Sequence, residues 1–407
     1  MTGIELSGAA LPIEGIRLGT VAAGVRKAGQ DDLVLVELAP GTHCAAVFTR
    51  NAFCAAPGRL ARQALAACGG DPRYLLINTG NGNAGTGPRG LADAQACAEA
   101  VAATCGVDAS TVLPFSTGVI GEHLPVDIIC RAIPAAREAL TPDGWAAAAR
   151  GILTTDTRPK VASAGVTCEG QTFSVTGMAK GAGMLRPDMA TMLAYVGTDA
   201  AVAPPLLQRI LREAVDASFH RISVDGDTST NDACVLMATG AAGNAELDTL
   251  DSPVARALAA AVRDVCVMLA KDLVRDGEGA SKFVSITVRQ GRSTAECLDV
   301  AFTIAHSPLV KTALFAGDPN WGRLLAAIGR AGLPELDVDA VSVRLNDVLI
   351  AENGCRAESY TEAQGAAAMA ASDIAIDIAL ARGDALETVW TSDFSYDYVR
   401  INAEYRT

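Results

Sequence analysis

The chain predicts a mixed α/β fold in packed layers. Short strand-like runs alternate with helix-like runs along its whole length, and half of its 407 residues are hydrophobic. That is enough apolar material for a large core and, by length, for two or three structural units. It contains no Walker loop, so nothing points to a nucleotide-triphosphate sheet.

The elements follow from local pattern. Residues 33–38 and 44–50 are β-branched and apolar runs that read as strands, 58–68 as a helix, 74–78 as a strand, and the alanine-rich 91–105 as a helix. A strand at 111–115, helices near 127–140 and 144–153, and a hairpin over 162–178 turned at Glu169-Gly170 complete the first half. A glycine-rich loop then leads into a buried strand predicted at 189–196, followed by a helix at 205–218 and strands at 221–224 and 233–240. The long helix at 254–275 has the clearest signals: Ser252 to cap it, Pro253 at its first position, and Leu258, Val262, Val265, Leu269 and Leu273 as an apolar stripe. A strand at 282–289 and helices at 294–307 and 321–332 come next, the last with Asn320 as a cap. The tail reads as strand: a hairpin at 341–345 and 348–352 turned at Asn346-Asp347, then 373–379 and 398–403.

Charge and cysteine usage narrow the functional class. A net charge of -13 and a pI near 4.8 argue against a nucleic-acid or anionic-membrane partner, because either needs clustered Lys and Arg. The eleven cysteines are spread singly with no CxxC pair and read as reduced core residues. The first residues lack a signal peptide's basic and apolar regions, and no apolar run reaches membrane-spanning length, so the cytoplasm is the expected compartment. Four scattered histidines show neither metal spacing nor a triad. Asp225, Asp227 and Asp232 lack the spacing of a calcium loop.

The most informative segment is Lys180-Gly-Ala-Gly-Met184 through Met189-Ala-Thr-Met-Leu193. Gly181 and Gly183 free the backbone and Pro187 fixes its own φ, so the chain before Ala190-Thr191 can be held bent. A chain cut there would leave Thr191 with a free α-amine, and a hydroxyl paired with its own amine is a recognised way to activate a nucleophile without histidine. Taken alone, Thr191 reads equally as a β-branched residue in an ordinary core strand. Other segments have the same two readings. Ser116-Thr-Gly118 offers donors for an oxyanion, or simply a turn. Thr154-Thr-Asp-Thr157 offers hydroxyls and a carboxylate, or capping chemistry. Glu278, between glycines in Asp276-Gly-Glu-Gly-Ala280, offers a partner for a substrate ammonium, or a solvated loop acid. The glycine-rich run 78–87 lacks the Lys-Ser/Thr ending of a phosphate loop and reads as turns.

Together with Asp225-Gly-Asp-Thr-Ser-Thr-Asn-Asp232, Gly317-Asp-Pro-Asn-Trp-Gly-Arg323 and Tyr398-Val-Arg-Ile-Asn402 to Thr407, these motifs resemble the ornithine acetyltransferase family of arginine biosynthesis. They do so in order and over essentially the whole chain. The resemblance implies a precursor that cleaves itself between Ala190 and Thr191 into fragments 1–190 and 191–407, which stay associated as one intertwined catalytic unit and assemble as an α2β2 heterotetramer. It implies a layered sandwich of the kind shared with DmpA-type aminopeptidases, with the nucleophile on an internal strand.

The implied reaction passes acetyl from N2-acetylornithine to Thr191 and then to glutamate, with no cofactor; the sequence leaves open whether acetyl-CoA is a second acetyl donor. On matching positions, Thr191 is the nucleophile and Thr117 with Gly118 the oxyanion hole. Lys180 faces the substrate carboxylate, Glu278 the ornithine ammonium, and Thr154, Asn402 and Thr407 are further substrate contacts, with Thr155 a rival to Thr154. Asp188 departs from the family's usual asparagine, three residues before the nucleophile. The nearest rival is a self-processing threonine aminopeptidase or amidohydrolase of the same architecture, in which water takes the acyl group.

Overall fold

The computed structural model describes residues 2–25, 29–186 and 192–404. The chain divides into two compact units, the first drawn from the described residues of Met1–Gly181, Pro187–His220 and Thr228–Leu273, the second from Ala182–Arg186, Arg221–Asp227 and Val274–Thr407.

In the first unit two sheets share a core. A four-stranded sheet runs in the order Ile16–Val21, Leu33–Leu38, Tyr74–Asn81, Val112–Val119. Side chains alternate across a strand, and here both faces are covered. Leu33 and Leu35 pack with Val101 and Ile133 of the helices Gly87–Cys105 and Val126–Glu138, whereas Val34, Val36 and Leu38 join a core with Met178, Tyr195 and Val235 of the second sheet. That core includes the fully buried Trp145 and an edge-on Phe115–Tyr195 pair with ring centroids 5.4 Å apart.

The second sheet has six strands, ordered Thr2–Ser7, Lys160–Cys168, Gln171–Lys180, Leu193–Thr198, Ala233–Ala238, His43–Phe48. Leu193–Thr198 and Ala233–Ala238 pair in parallel and are buried at every residue, as strands covered on both faces are. Lys180 lies opposite Leu193 in the antiparallel pairing of Gln171–Lys180 with Leu193–Thr198.

The second unit has a seven-stranded sheet whose interior strand Phe283–Gly291 pairs in parallel with Asp373–Ala379 and antiparallel with Ala385–Ser392. Val284, Ile286 and Val288 face Val300, Ile304 and Ile328 of the helices Thr294–Ala305 and Trp321–Gly329.

The predicted hairpins form as read: Glu169 and Gly170 turn with positive φ, as does Asn346. The Ser252 hydroxyl accepts from the Ala255 amide at 3.1 Å, and Asn320 caps its helix through the Arg323 amide. None of the eleven cysteines is in a disulfide, and no helix among the described residues is long and apolar enough to cross a membrane.

Other readings are corrected. Residues 398–403 belong to a helix, Tyr396–Ala403, not a strand. Ser395 caps it by accepting from the Tyr398 amide at 3.3 Å, and its alternating apolar residues never enter a sheet. The strand expected at 189–196 is Leu193–Thr198, and the strand ending at 115 continues to Val119, carrying Thr117 and Gly118 within it. Helices Pro308–Ala316 and Glu362–Met369 and strand Ala385–Ser392 went unread.

Candidate functional site

Thr117 and Gly118 close the edge strand of the four-stranded sheet. Its neighbour runs parallel, with Thr79 opposite Thr117 and Gly80 opposite Gly118. Gly118 has φ +136°, and a Cβ there would stand 2.3 Å from the Gly80 carbonyl carbon, so no other residue fits. Buried amides fix this strand end. The Ser116 hydroxyl donates to Asn78 Oδ1 at 2.6 Å, and Asn231 Nδ2 donates to the Ser116 carbonyl at 2.9 Å and to the Gly82 carbonyl at 2.5 Å. A backbone held so firmly is preorganised for donating hydrogen bonds.

Thr117 also reaches the neighbouring cluster. The Lys180 ammonium, 8% exposed, donates to Thr154 Oγ1 at 2.7 Å and Thr117 Oγ1 at 3.2 Å, and lies 4.0 Å from Asp156 Oδ2. Thr154, rather than Thr155, brings its hydroxyl to Lys180. Asp156 anchors the group, with its buried carboxylate accepting from Lys160 Nζ at 2.6 Å and from the backbone amides of Gly181 at 2.8 Å and Thr154 at 3.1 Å. Burial works to raise its pKa, but Lys180, Lys160 and these hydrogen bonds overcome that and hold it at about 2. Asp156 is thus charged at neutral pH and fixes the turn at Gly181 that follows Lys180.

In the second unit, Glu278 is buried, against the reading of a solvated loop acid. Asn402 Nδ2 donates to Glu278 Oε2 at 2.7 Å and to the Tyr398 carbonyl at 3.0 Å, while the Glu278 amide donates to the Ala182 carbonyl at 2.8 Å. Gly183 lies so close beneath this carboxylate that a Cβ would come within 2.3 Å of Oε2. Asp225 closes the same loop by accepting from the amides of Met184 at 2.5 Å and Leu185 at 2.8 Å. Burial raises the Asp225 carboxyl despite those bonds. No cluster of three or more His, Cys, Asp or Glu suited to a metal occurs among the described residues.

The structure therefore gathers Thr117, Gly118, Lys180 and Thr154 in one unit, and Glu278 with Asn402 in the other. Ala190, Thr191, Asp188 and Thr407 lie outside the described residues. Asp156, Asn78 and Asn231 had no role in the sequence reading. Asp156 stood inside the quoted Thr154-to-Thr157 motif, but its lysine partners come from either side of a strand hairpin and only the fold joins them.

Hydroxyl and backbone donors around a buried ammonium equip this end of the sandwich for acyl transfer. The ArgJ family model matches residues 17–407. The chain belongs to the ArgJ family and is an acyltransferase of arginine biosynthesis. It is 56% identical over 396 residues to the arginine biosynthesis bifunctional protein ArgJ of Pseudomonas syringae pv. tomato, covering 97% of both chains. It is also 56% identical to the protein of the same name from Methylococcus capsulatus, covering 97% of this chain and 96% of that one. A solved ornithine acetyltransferase from Mycobacterium tuberculosis, complexed with ornithine, is 38% identical over 46% of this chain and 99% of its own, with a TM-score of 0.42.

Proposed function

We propose that this chain cuts itself between Ala190 and Thr191 and then moves acetyl from N2-acetylornithine to glutamate through an acetyl-threonine intermediate. In the first half-reaction Thr191 Oγ bonds to the acetyl carbonyl carbon while its α-amine takes the hydroxyl proton. The oxyanion faces Thr117 and Gly118, the carbon–nitrogen bond breaks, and ornithine leaves with that proton. In the second, the glutamate amine attacks the ester and regenerates Thr191. Acetyl-CoA serves as an alternative donor, in keeping with the bifunctional relatives.

The observation that carries this reading is the pairing of Lys180 with Leu193, which puts the hydroxyl-bound ammonium beside the start of the strand that follows Thr191. Lys180 is the counter-ion for the substrate carboxylate, with Thr154 beside it. Glu278 receives the ornithine ammonium. Its described side-chain partner is the neutral amide of Asn402, which leaves the negative charge for a cation. Asn402 and Thr407 complete the substrate contacts.

Continued association of the fragments after cleavage is supported by the interleaved sheet. Leu193–Thr198 and Ala233–Ala238 lie between Gln171–Lys180 on one side and His43–Phe48 on the other. Cutting at 190 leaves those ladders intact, so the fragments 1–190 and 191–407 remain one catalytic unit, which we take to assemble as α2β2.

Wild-type protein on a denaturing gel should resolve into two fragments, and Thr191→Ala should remain whole and show no acetyl transfer. Normal processing or transfer in the variant would refute the role of Thr191.

A further inference from the structure

The loop that carries Glu278 is fastened by one short segment of the second unit to which the acetyl-transfer chemistry gives no part. Asp393, 1% exposed, follows the end of strand Ala385–Ser392. Its Oδ1 accepts from the amides of Ser281 at 2.8 Å and Lys282 at 2.9 Å, and its Oδ2 accepts from the Ser281 hydroxyl at 2.5 Å. Further along the same segment, the Ser395 hydroxyl donates to the Gly279 carbonyl at 2.6 Å. Gly279 has φ +68°, and a Cβ there would stand 2.5 Å from the Tyr398 nitrogen, so only glycine lets the loop pass this close. Glu278 is thus held by its own amide at the Ala182 carbonyl on one side, and by the tethers at Gly279, Ser281 and Lys282 on the other.

The fastening segment is itself anchored. Lys311, buried on helix Pro308–Ala316, donates from Nζ to Thr391 Oγ1 at 2.9 Å and to the Ser392 carbonyl. Its ammonium lies 4.6 Å from the centroid of the Phe394 ring, and the Phe394 amide donates back to the Lys311 carbonyl at 3.2 Å. Hydrogen bonds to an ionised group are the strong ones, and the three that Asp393 accepts are made where water competes little. The Ser395 hydroxyl also accepts from the Tyr398 amide, which starts the helix that brings Asn402 to Glu278 Oε2.

We propose that Asp393 and Ser395 are positioning residues that aim the Glu278 carboxylate, and so set the preference for a cationic substrate, a role that rests on the proposed pairing of Glu278 with the side-chain ammonium of N2-acetylornithine. A charged contact is specific only when its supporting shell holds it in place. Neither residue is placed at the acetyl group, so loosening the shell weakens substrate binding rather than the chemical step.

The test is steady-state transfer from N2-acetylornithine to glutamate by enzyme made from the full-length chain, with Asp393→Asn, Ser395→Ala, Glu278→Gln and the two double variants that include Glu278→Gln. Asp393→Asn keeps the size of the side chain but takes away its charge and one acceptor oxygen; Ser395→Ala removes the tether to Gly279. Each should raise KM for N2-acetylornithine about ten-fold, the worth of one or two such hydrogen bonds, with kcat changed by less than about two-fold. Beside Glu278→Gln the same changes should add no more than about three-fold, because a residue that acts through Glu278 has nothing left to aim, whereas a merely structural residue keeps its full effect there. If Asp393→Asn yields no folded enzyme, Ser395→Ala decides both measurements. Unchanged KM in the single variants, or a full effect persisting beside Glu278→Gln, overturns this proposal alone. Glu278→Gln with an unchanged KM for N2-acetylornithine overturns the reading of Glu278 and this role with it.

Discussion

Asp156 and Asp232 are the same residue in the same unit, both buried and both within the field of Lys180, yet their carboxyls move in opposite directions. Around Asp156 the chain supplies a direct ammonium from Lys160 at 2.6 Å and two backbone amides. The anion is favoured, and the pKa settles at about 2. Around Asp232 it supplies the Met192 amide and the Ser229 hydroxyl to one oxygen and, among the described residues, no partner to the other. Desolvation wins there and raises the carboxyl above its ordinary value. Burial alone therefore does not decide the charge of a carboxyl; the hydrogen-bonded cation does. The contrast separates an anion that anchors Lys160 and aims Lys180 from a carboxyl that burial governs.

The largest expected effect follows from breaking the charged region. Asp156→Ala takes the carboxylate from a fully buried Lys160 and from the Gly181 turn, and removing one partner of a buried ion pair costs about 3–5 kcal/mol. Urea unfolding, with Thr191→Ala as background so that every chain is whole, should show a loss of that size. A loss below about 1 kcal/mol would mean that the Asp156 cluster does not anchor the unit.

The next effect is acid-dependent. The Asp156 carboxyl is held at about 2 in the fold against its ordinary value of 3.8. Its contribution is complete above pH 3.8 and is lost as pH falls toward 2, a difference worth about 2 kcal/mol. Unfolding measured across that window should fall by this amount in the parent and stay flatter in Asp156→Asn. Parallel curves would remove Asp156 as the source.

Much of this contrast was invisible in the sequence for a physical reason. Strands such as Leu33–Leu38 and Phe283–Gly291 could be read because alternation and β-branching are local, and the long helix at Pro253–Arg275 because its cap and apolar stripe are local too. Thr117, Gly118, Lys180 and Glu278 could be singled out because glycine punctuates their segments or the motifs resemble a family. The tail could not. Tyr398, Ile401 and their neighbours alternate like a strand, and only the Ser395 cap and the lack of a partner strand make them a helix. Asp156 and Asp232 each stood in a quoted motif, but charge state depends on Lys160, Lys180 and Met192 arriving across strand pairings, and spacing along the chain carries no record of those distances. The same holds for Asn231, whose amide crosses from one sheet to secure the strand end bearing Gly118.

The smallest effect per step sharpens the comparison at neutral pH. In the unfolded chain Asp232 ionises near its ordinary value of 3.8, whereas in the fold burial keeps it protonated to a higher pH. Between those points the folded state binds one proton more than the unfolded state, so stability falls as pH rises by about 1.4 kcal/mol per pH unit. Asparagine cannot titrate, and so Asp232→Asn lacks this loss. In the Thr191→Ala background, the unfolding free energy of Asp232→Asn relative to the parent should therefore improve steadily as pH climbs from about 4. Asp156→Asn should show no such trend there, because its own titration is finished above 3.8. If the two asparagine variants run parallel above pH 4, Asp232 is ionised in the fold, and the contrast between the two carboxyls fails.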